Sequence, residues 1–327
     1  MTCRPSTSTL PATNRSAPRL PSSPGPRPDR HVPPAERPGD PATTAATAEP
    51  LGPDSLLWRL GLPRTSVLLA GRALLLQVAH PTVGAGVRDF SDFRSDPWGR
   101  FERTVTSLLT QLFGGQLAAA EARQLRERHR SITGTGFDGH PYRATEPDAW
   151  AWVHLANGDT MLTFHQLLGR PLDNAQQERY WADWCQAGRV LGIRPAQLPA
   201  DVDALRARVD ETVATTLGDN ETVRLVLATI VLEQVGPPPL LPGPLWDLLR
   251  PLGRPLLLDA TVGTLPPALR ATLGLAWTDG AQHRLDRLAA LVRSASAGIP
   301  DRALHYPAAY RAVRAARRYD GAGGRGG

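Results

Sequence analysis

Histidine and arginine carry the chemistry open to this chain. Its 37 basic residues are all arginine, which excludes the Schiff-base, P-loop and kinase-type mechanisms that depend on a lysine amine. Cys3 and Cys185 are the only cysteines, too few for a disulfide framework, a cysteine zinc site or an iron–sulfur cluster. The zinc helix H-E-x-x-H, the nucleophile elbow G-x-S-x-G and the paired E-x-x-H of a di-iron bundle are all missing from the sequence.

Four groups remain. His129 falls on the line Ala118, Ala122, Leu125, His129, Ile132, spaced four, three, four, three. That is the apolar face of a helix whose other face carries Arg126, Arg128 and Arg130. An inward histidine needs a partner on at least one nitrogen, so it is either a core residue bonded to a carbonyl or a metal or haem ligand. His154 and His165 share another helical face, with Gly158 and Met161 between them. They stand roughly 16 Å apart along a helix, so one iron cannot take both. Gly158 asks for a reason in mid-helix, either space for a flat macrocycle or close contact with another helix. His80, followed by Pro81, can cap the preceding helix or face a pocket. Arg100, Arg103 and Thr104 lie at i, i+3 and i+4, suited to clamping carboxylates or to pairing with Asp96 and Glu102 on a solvated flank.

The elements that must position these residues read as helices almost throughout. Asp96-Pro97 opens one that closes at Gly114, and a second runs from Gly115 to about Ile132. Others span Pro147 to Gly169, Asp173 to Gly192, and about 201–217, 221–235, 279–297 and 305–319. Strand-like alternation is nearly absent. Gly134 to Gly139 spells G-x-G-x-x-G but follows a helix rather than a strand, so it reads as a helix-stop loop rather than a dinucleotide site. The most apolar window, Val67 to Ala79, is broken by Arg72 and Gln77 and is too short for a bilayer; it reads as a buried core helix. The expected architecture is all-α: one multi-helix domain over 51–319 enclosing a buried cofactor pocket.

Both ends differ from this body. Residues 1–50 hold 12 of the 32 prolines and no aromatic residue, which predicts a disordered tail, or a mis-called start, with no apolar secretory stretch. Residues 320–327 form a loose glycine-rich tail. The pI near 10.1 belongs to these ends. Residues 283–327 carry nine arginines against three aspartates, while 51–282 are slightly acidic. That speaks against nucleic acid as a partner and leaves weak peripheral contact with an acidic membrane.

Taken together, several motifs resemble one family. The run Gly71-Arg72-Ala73-Leu74-Leu75-Leu76-Gln77-Val78-Ala79-His80-Pro81 is similar to the bacterial branch of a domain long catalogued as of unknown function. Its relatives are the rubber oxygenases (latex-clearing proteins) and the fungal membrane oxygenase MpaB. Gly52-Pro53-Asp54-Ser55, Asp96-Pro97 with Arg100-x-x-Arg103-Thr104, His129 before Gly134, and Trp152-Val153-His154 fit in order. So do Leu191-Gly192-Ile193 with Leu198-Pro199, and Pro266 to Trp277. The likeness spans about 51–318.

The resemblance implies an all-helical fold holding haem b, with a histidine on the iron, and dioxygen used against carbon–carbon double bonds of apolar substrates. His129 matches the ligand histidine, and Arg100, Arg103 and Thr104 match an R-x-x-K-T-type motif. Two departures stand out. Arg103 replaces a lysine that can ligate iron, which an arginine cannot do; the expectation is a free or water-bound sixth position, with Arg103 holding a propionate or stabilising bound oxygen. Phe90 stands where relatives carry histidine.

The reading is therefore a cytoplasmic haem-b-dependent oxygenase that takes a hydrophobic small molecule and dioxygen. Arg100, Arg103 and Thr104 are its catalytic candidates. His129 is the metal ligand, and His129, Arg100, Arg103, His154, Gly158 and His80 line the cofactor. The alternative is a haem- or lipid-binding protein or sensor without turnover. The oligomeric state is open.

Overall fold

Helices account for 73% of the described residues and strands for 3%, in a computed structural model that describes residues 48–92, 95–230, 236–238 and 241–323. Residues 1–47 and 324–327, most of the expected N-terminal tail and half of the C-terminal one, lie outside the described residues.

At the centre are α2 (Ala70–Val78), which follows a 3-10 turn over Arg64–Leu69, and α6 (Pro147–Leu167). α6 is buried on nearly every side, with Ala149, Ala151, Trp152, His154, Leu155, Ala156, Gly158, Thr160, Phe164 and His165 all inside. A helix apolar all round is a core helix. The two polar residues that interrupt the apolar run of α2 both turn to α6. Gln77 Nε2 donates to Asn157 Oδ1 at 3.1 Å. Arg72, 4% exposed, donates to the Asp159 carboxylate and to the Thr264 carbonyl. A guanidinium in the core is tolerable because it is paired in this way.

Around this pair lie α1 (Leu56–Leu60), α3 (Pro81–Phe90), α4 (Pro97–Phe113), α5 (Leu117–Arg130), α7 (Asn174–Val190), α8 (Val202–Thr215) and α9 (Glu221–Ile230). They are followed by α10 (Gly243–Thr264), α11 (Pro267–Thr272), α12 (Asp279–Ala297), α13 (Asp301–Leu304) and α14 (Pro307–Gly323). Local signals explain many boundaries. Asp96 caps α4 by accepting from Gly99 N, and Asp173 and Gln176 form a reciprocal capping box on α7. Ser55, in the Gly52–Ser55 motif, caps α1 and donates to the Gly52 carbonyl at 2.7 Å.

Three features differ from the sequence reading. α10 forms although Pro251 and Pro255 lie inside it. α14 continues to Gly323, past the boundary expected at 319. The loop expected after α5 is an antiparallel hairpin, β1 (Thr133–Thr135) with β2 (Pro141–Arg143), in which Gly134 faces Tyr142. A Cβ at Gly134 would lie 2.9 Å from both Asp89 and the Tyr142 ring, and Gly139 turns at φ 81°. The glycines of G-x-G-x-x-G thus serve a tight hairpin, which Tyr142 ties to α3 by donating to Asp89 Oδ2 at 2.8 Å.

Among the described residues no single helix is long and apolar enough to cross a membrane. The segments 64–78 and 81–90 reach that length and composition only as a pair bent by 106°. Leu69, Leu75, Leu76, Val78 and Ala85 of that pair are buried in the protein.

Candidate functional site

α4 and α5 pack against each other and bring Arg100 and His129 into one neighbourhood. His129 is half-buried. Its Nδ1 lies 2.8 Å from the Leu125 carbonyl of its own helix, so the Nδ1–H tautomer donates there and leaves the Nε2 lone pair free. The indole of Trp150, on α6, meets the ring edge-on at 5.4 Å. Burial holds the imidazole below its ordinary pKa; the Leu125 bond opposes this, and the charges of Arg100 and Arg128 reinforce it. The ring is therefore neutral near pH 7, the form that can ligate a metal.

Arg100 is half-buried, and burial lowers its pKa. Its Nη1 donates to Thr104 Oγ1 at 2.5 Å and its Nε to Ser91 Oγ at 3.2 Å. Thr104 in turn donates to the Arg100 carbonyl at 2.9 Å, so this hydroxyl is engaged both ways and orients the guanidinium. Arg103 goes elsewhere. Its side chain is 53% exposed and bridges Asp92 and Asp96. Those bonds raise its pKa, and the Asp96 bond comes first among the causes. The expectation that Arg103 reaches a propionate gives way to an external ion-pair strap, because two carboxylates flank it at the entrance to α4. Phe90 is 52% exposed at the end of α3.

Sequence spacing missed Arg126. It was placed on the outer, arginine-bearing face, yet it sits one turn before His129 with its Nη1 buried and without a partner among the described residues. A buried orphan donor of this kind asks for an anion. The arginine-rich helix face hides this signal, since nothing in the spacing separates Arg126 from Arg128 and Arg130.

The other histidines occupy different environments. His154 is enclosed between α6 and α7. Its Nε2 lies 2.9 Å from the Trp184 carbonyl, and Trp184 Nε1 donates to the His154 carbonyl at 3.1 Å. Burial pushes it down to about 4. A Cβ at Gly158 would stand 2.8 Å from both Trp181 and Trp184. Two indoles of α7 thus take the room at Gly158, a helix–helix contact rather than a seat for a macrocycle. His165 packs edge-on to Tyr180 at 5.1 Å and is pushed to about 4 by burial.

His80 stands at the N-cap position of α3 without a side-chain capping bond there, while its backbone N–H donates to the Gln77 carbonyl of the preceding helix at 3.2 Å. Its Nδ1 is buried without a partner among the described residues. It borders a cavity of about 120 Å³ with Asp148, Trp152, Gln197, Arg208 and Thr212. Burial lowers its pKa, and Asp148 opposes that. The structure thus brings together His129, Arg100 and Thr104, and places Arg103, His80, His154 and Gly158 in other surroundings.

Donor chemistry narrows what His129 can hold. Among the described residues no three His, Cys, Asp or Glu side chains converge as a metal site. A macrocycle that brings its own four nitrogens asks the protein for one neutral imidazole, which His129 supplies, and for cations near its carboxylates, which Arg100 and the orphan Arg126 supply. These residues fit such a group.

Residues 58–294 match the family described as ER-bound oxygenase mpaB/B'/rubber oxygenase, catalytic domain. Uncharacterized proteins of Mycobacterium bovis and Mycobacterium tuberculosis are each 28% identical over 242 residues, covering 72% of this chain and 91% of theirs. No solved structure gives a significant match. The chain belongs to the mpaB and rubber oxygenase catalytic-domain family.

Proposed function

We propose that this member of an oxygenase family is a haem-b-dependent oxygenase acting on a hydrophobic, unsaturated small molecule. One observation carries the reading. His129 is neutral, with Nδ1 committed to the Leu125 carbonyl and Nε2 free, and it stands beside the half-buried guanidinium of Arg100. Bound haem would supply the one-electron chemistry with dioxygen that no side chain provides.

The chain's own residues do the rest. His129 Nε2 would hold the haem iron, and the Leu125 carbonyl and Trp150 fix the ring plane and tautomer of this histidine. Arg126 would meet a haem carboxylate with its orphan Nη1. Arg100, aimed by Ser91 and Thr104, would offer its positive charge to the negative charge that such oxygen chemistry generates. Arg103 keeps the strap to Asp92 and Asp96 closed and so fixes the first turn of α4.

The absorption spectrum of protein purified with haem supplied tests this. A Soret band in the parent that His129→Ala shifts or abolishes is the expected result. A folded sample with no band overturns the proposal, and an unchanged band in the variant moves the ligand to another histidine. Oxygen uptake by the ferrous protein with an alkene separates an oxygenase from a haem carrier.

A further inference from the structure

The last two helices gather arginines that the His129 site does not use. An open recess of about 440 Å³ lies between them, walled by Asp301, Arg302, Tyr310, Arg314, Arg317 and Arg318. Four guanidiniums face one carboxylate. That carboxylate is already committed, because Asp301 accepts from Arg317 at 2.6 Å and so holds it at the rim. The Arg314 guanidinium stands over the Tyr310 ring, 6.0 Å from its centroid. Arg302 and Arg318 have no hydrogen-bond or ion-pair partner among the described residues.

A solvated arginine stripe runs along one helix and points outward. Here the arrangement is concave. Arg302 on α13 and Arg314, Arg317 and Arg318 on α14 line the same recess. Like charges around one cavity repel unless an anion joins them. Arginine presents its donors in a planar fork that matches phosphate oxygens two at a time. Two of the four forks are pre-oriented, by Asp301 and by Tyr310, and two are free to close on a ligand.

We propose that this recess binds a phosphate-bearing anion, with Arg302 and Arg318 as the clamp and Arg314 and Arg317 as the preset side. The phosphate belongs either to a soluble compound or to a lipid headgroup, and two probes separate these sources. The full-length protein is titrated with inorganic pyrophosphate in a calorimeter. It is also sedimented with phosphatidylcholine vesicles with and without phosphatidylglycerol. The double variant Arg302→Ala/Arg318→Ala is compared with Arg179→Ala/Arg206→Ala, which removes the same charge from α7 and α8. All four side chains are exposed, and circular dichroism verifies the fold.

The expected result is saturable binding of at least one probe. The recess variant weakens it about tenfold or more, the equivalent of about 1.4 kcal/mol, and the control leaves it nearly unchanged. Pyrophosphate binding without vesicle preference assigns a soluble phosphate; sedimentation that depends on phosphatidylglycerol assigns a headgroup. Binding of neither probe overturns the proposal, as does equal weakening in both double variants. Neither readout involves haem, so this result is independent of the Soret experiment.

Discussion

The α6–α7 contact and the α4–α5 face use the same materials, an inward histidine beside a tryptophan, and reach opposite ends. Between α6 and α7, His154 is fully enclosed, exchanges hydrogen bonds with Trp184 and sits over Gly188, where a Cβ would come within 2.7 Å of its Nε2. On the α4–α5 face, His129 spends one nitrogen on its own helix and keeps the other. The difference teaches that a histidine becomes available by satisfying itself locally. When a neighbouring helix satisfies it, it becomes part of the packing.

This contrast can be broken experimentally, and the largest effect belongs to the sealed side. His154 and His165 are both held near 4 in the folded protein against an ordinary value of 6.5. The unfolded chain therefore takes up protons first as pH falls. Their contribution to stability is whole above pH 6.5 and disappears between pH 6.5 and 4, at about 3 kcal/mol for each ring. Urea melts at pH 7, 5.5 and 4.5 should show this slope; a flat profile would show that the rings are not sealed.

Next comes the ion pair beneath them. Arg72→Met leaves Asp159 without its cation in a largely buried position, an expected loss of about 3–5 kcal/mol measured as a lower urea midpoint. Gly158→Val drives a branched side chain into Trp181 and Trp184 and should cost about 2 kcal/mol, with a change in near-ultraviolet circular dichroism from the displaced indoles. On the open side, His129→Ala should cost only about 1 kcal/mol, the worth of one local hydrogen bond. Arg103→Ala should leave the urea midpoint where it was, because its ion pairs are exposed. A large destabilisation in either open-side variant would erase the contrast.

Sequence made the helical frame legible wherever caps and apolar period agreed. Asp96-Pro97 and Gly114 bracket α4, Pro147 opens α6, and Asp173 opens α7. α10 was missed because Pro251 and Pro255 interrupt its helical pattern, although packing against α2 and α12 supports the helix. Three-residue strands are too short to show a period of two, so the hairpin read as a loop. At the site, spacing placed His129 and His154 equally on inward faces, because the partner that fixes each ring's role comes from another helix or from the backbone. Arg126 was hidden because nothing in the spacing separates it from Arg128 and Arg130.

Arg72 has one more consequence, and it concerns time. Its two partners lie 87 and 192 residues further along the chain. A chain emerging from the ribosome has to carry a guanidinium in its most apolar helix long before Asp159 and Thr264 arrive. Early collapse around α2 is therefore penalised until the last third of the fold can close over it. Such long-range closure slows folding, and a chain ending before Thr264 would keep this core open.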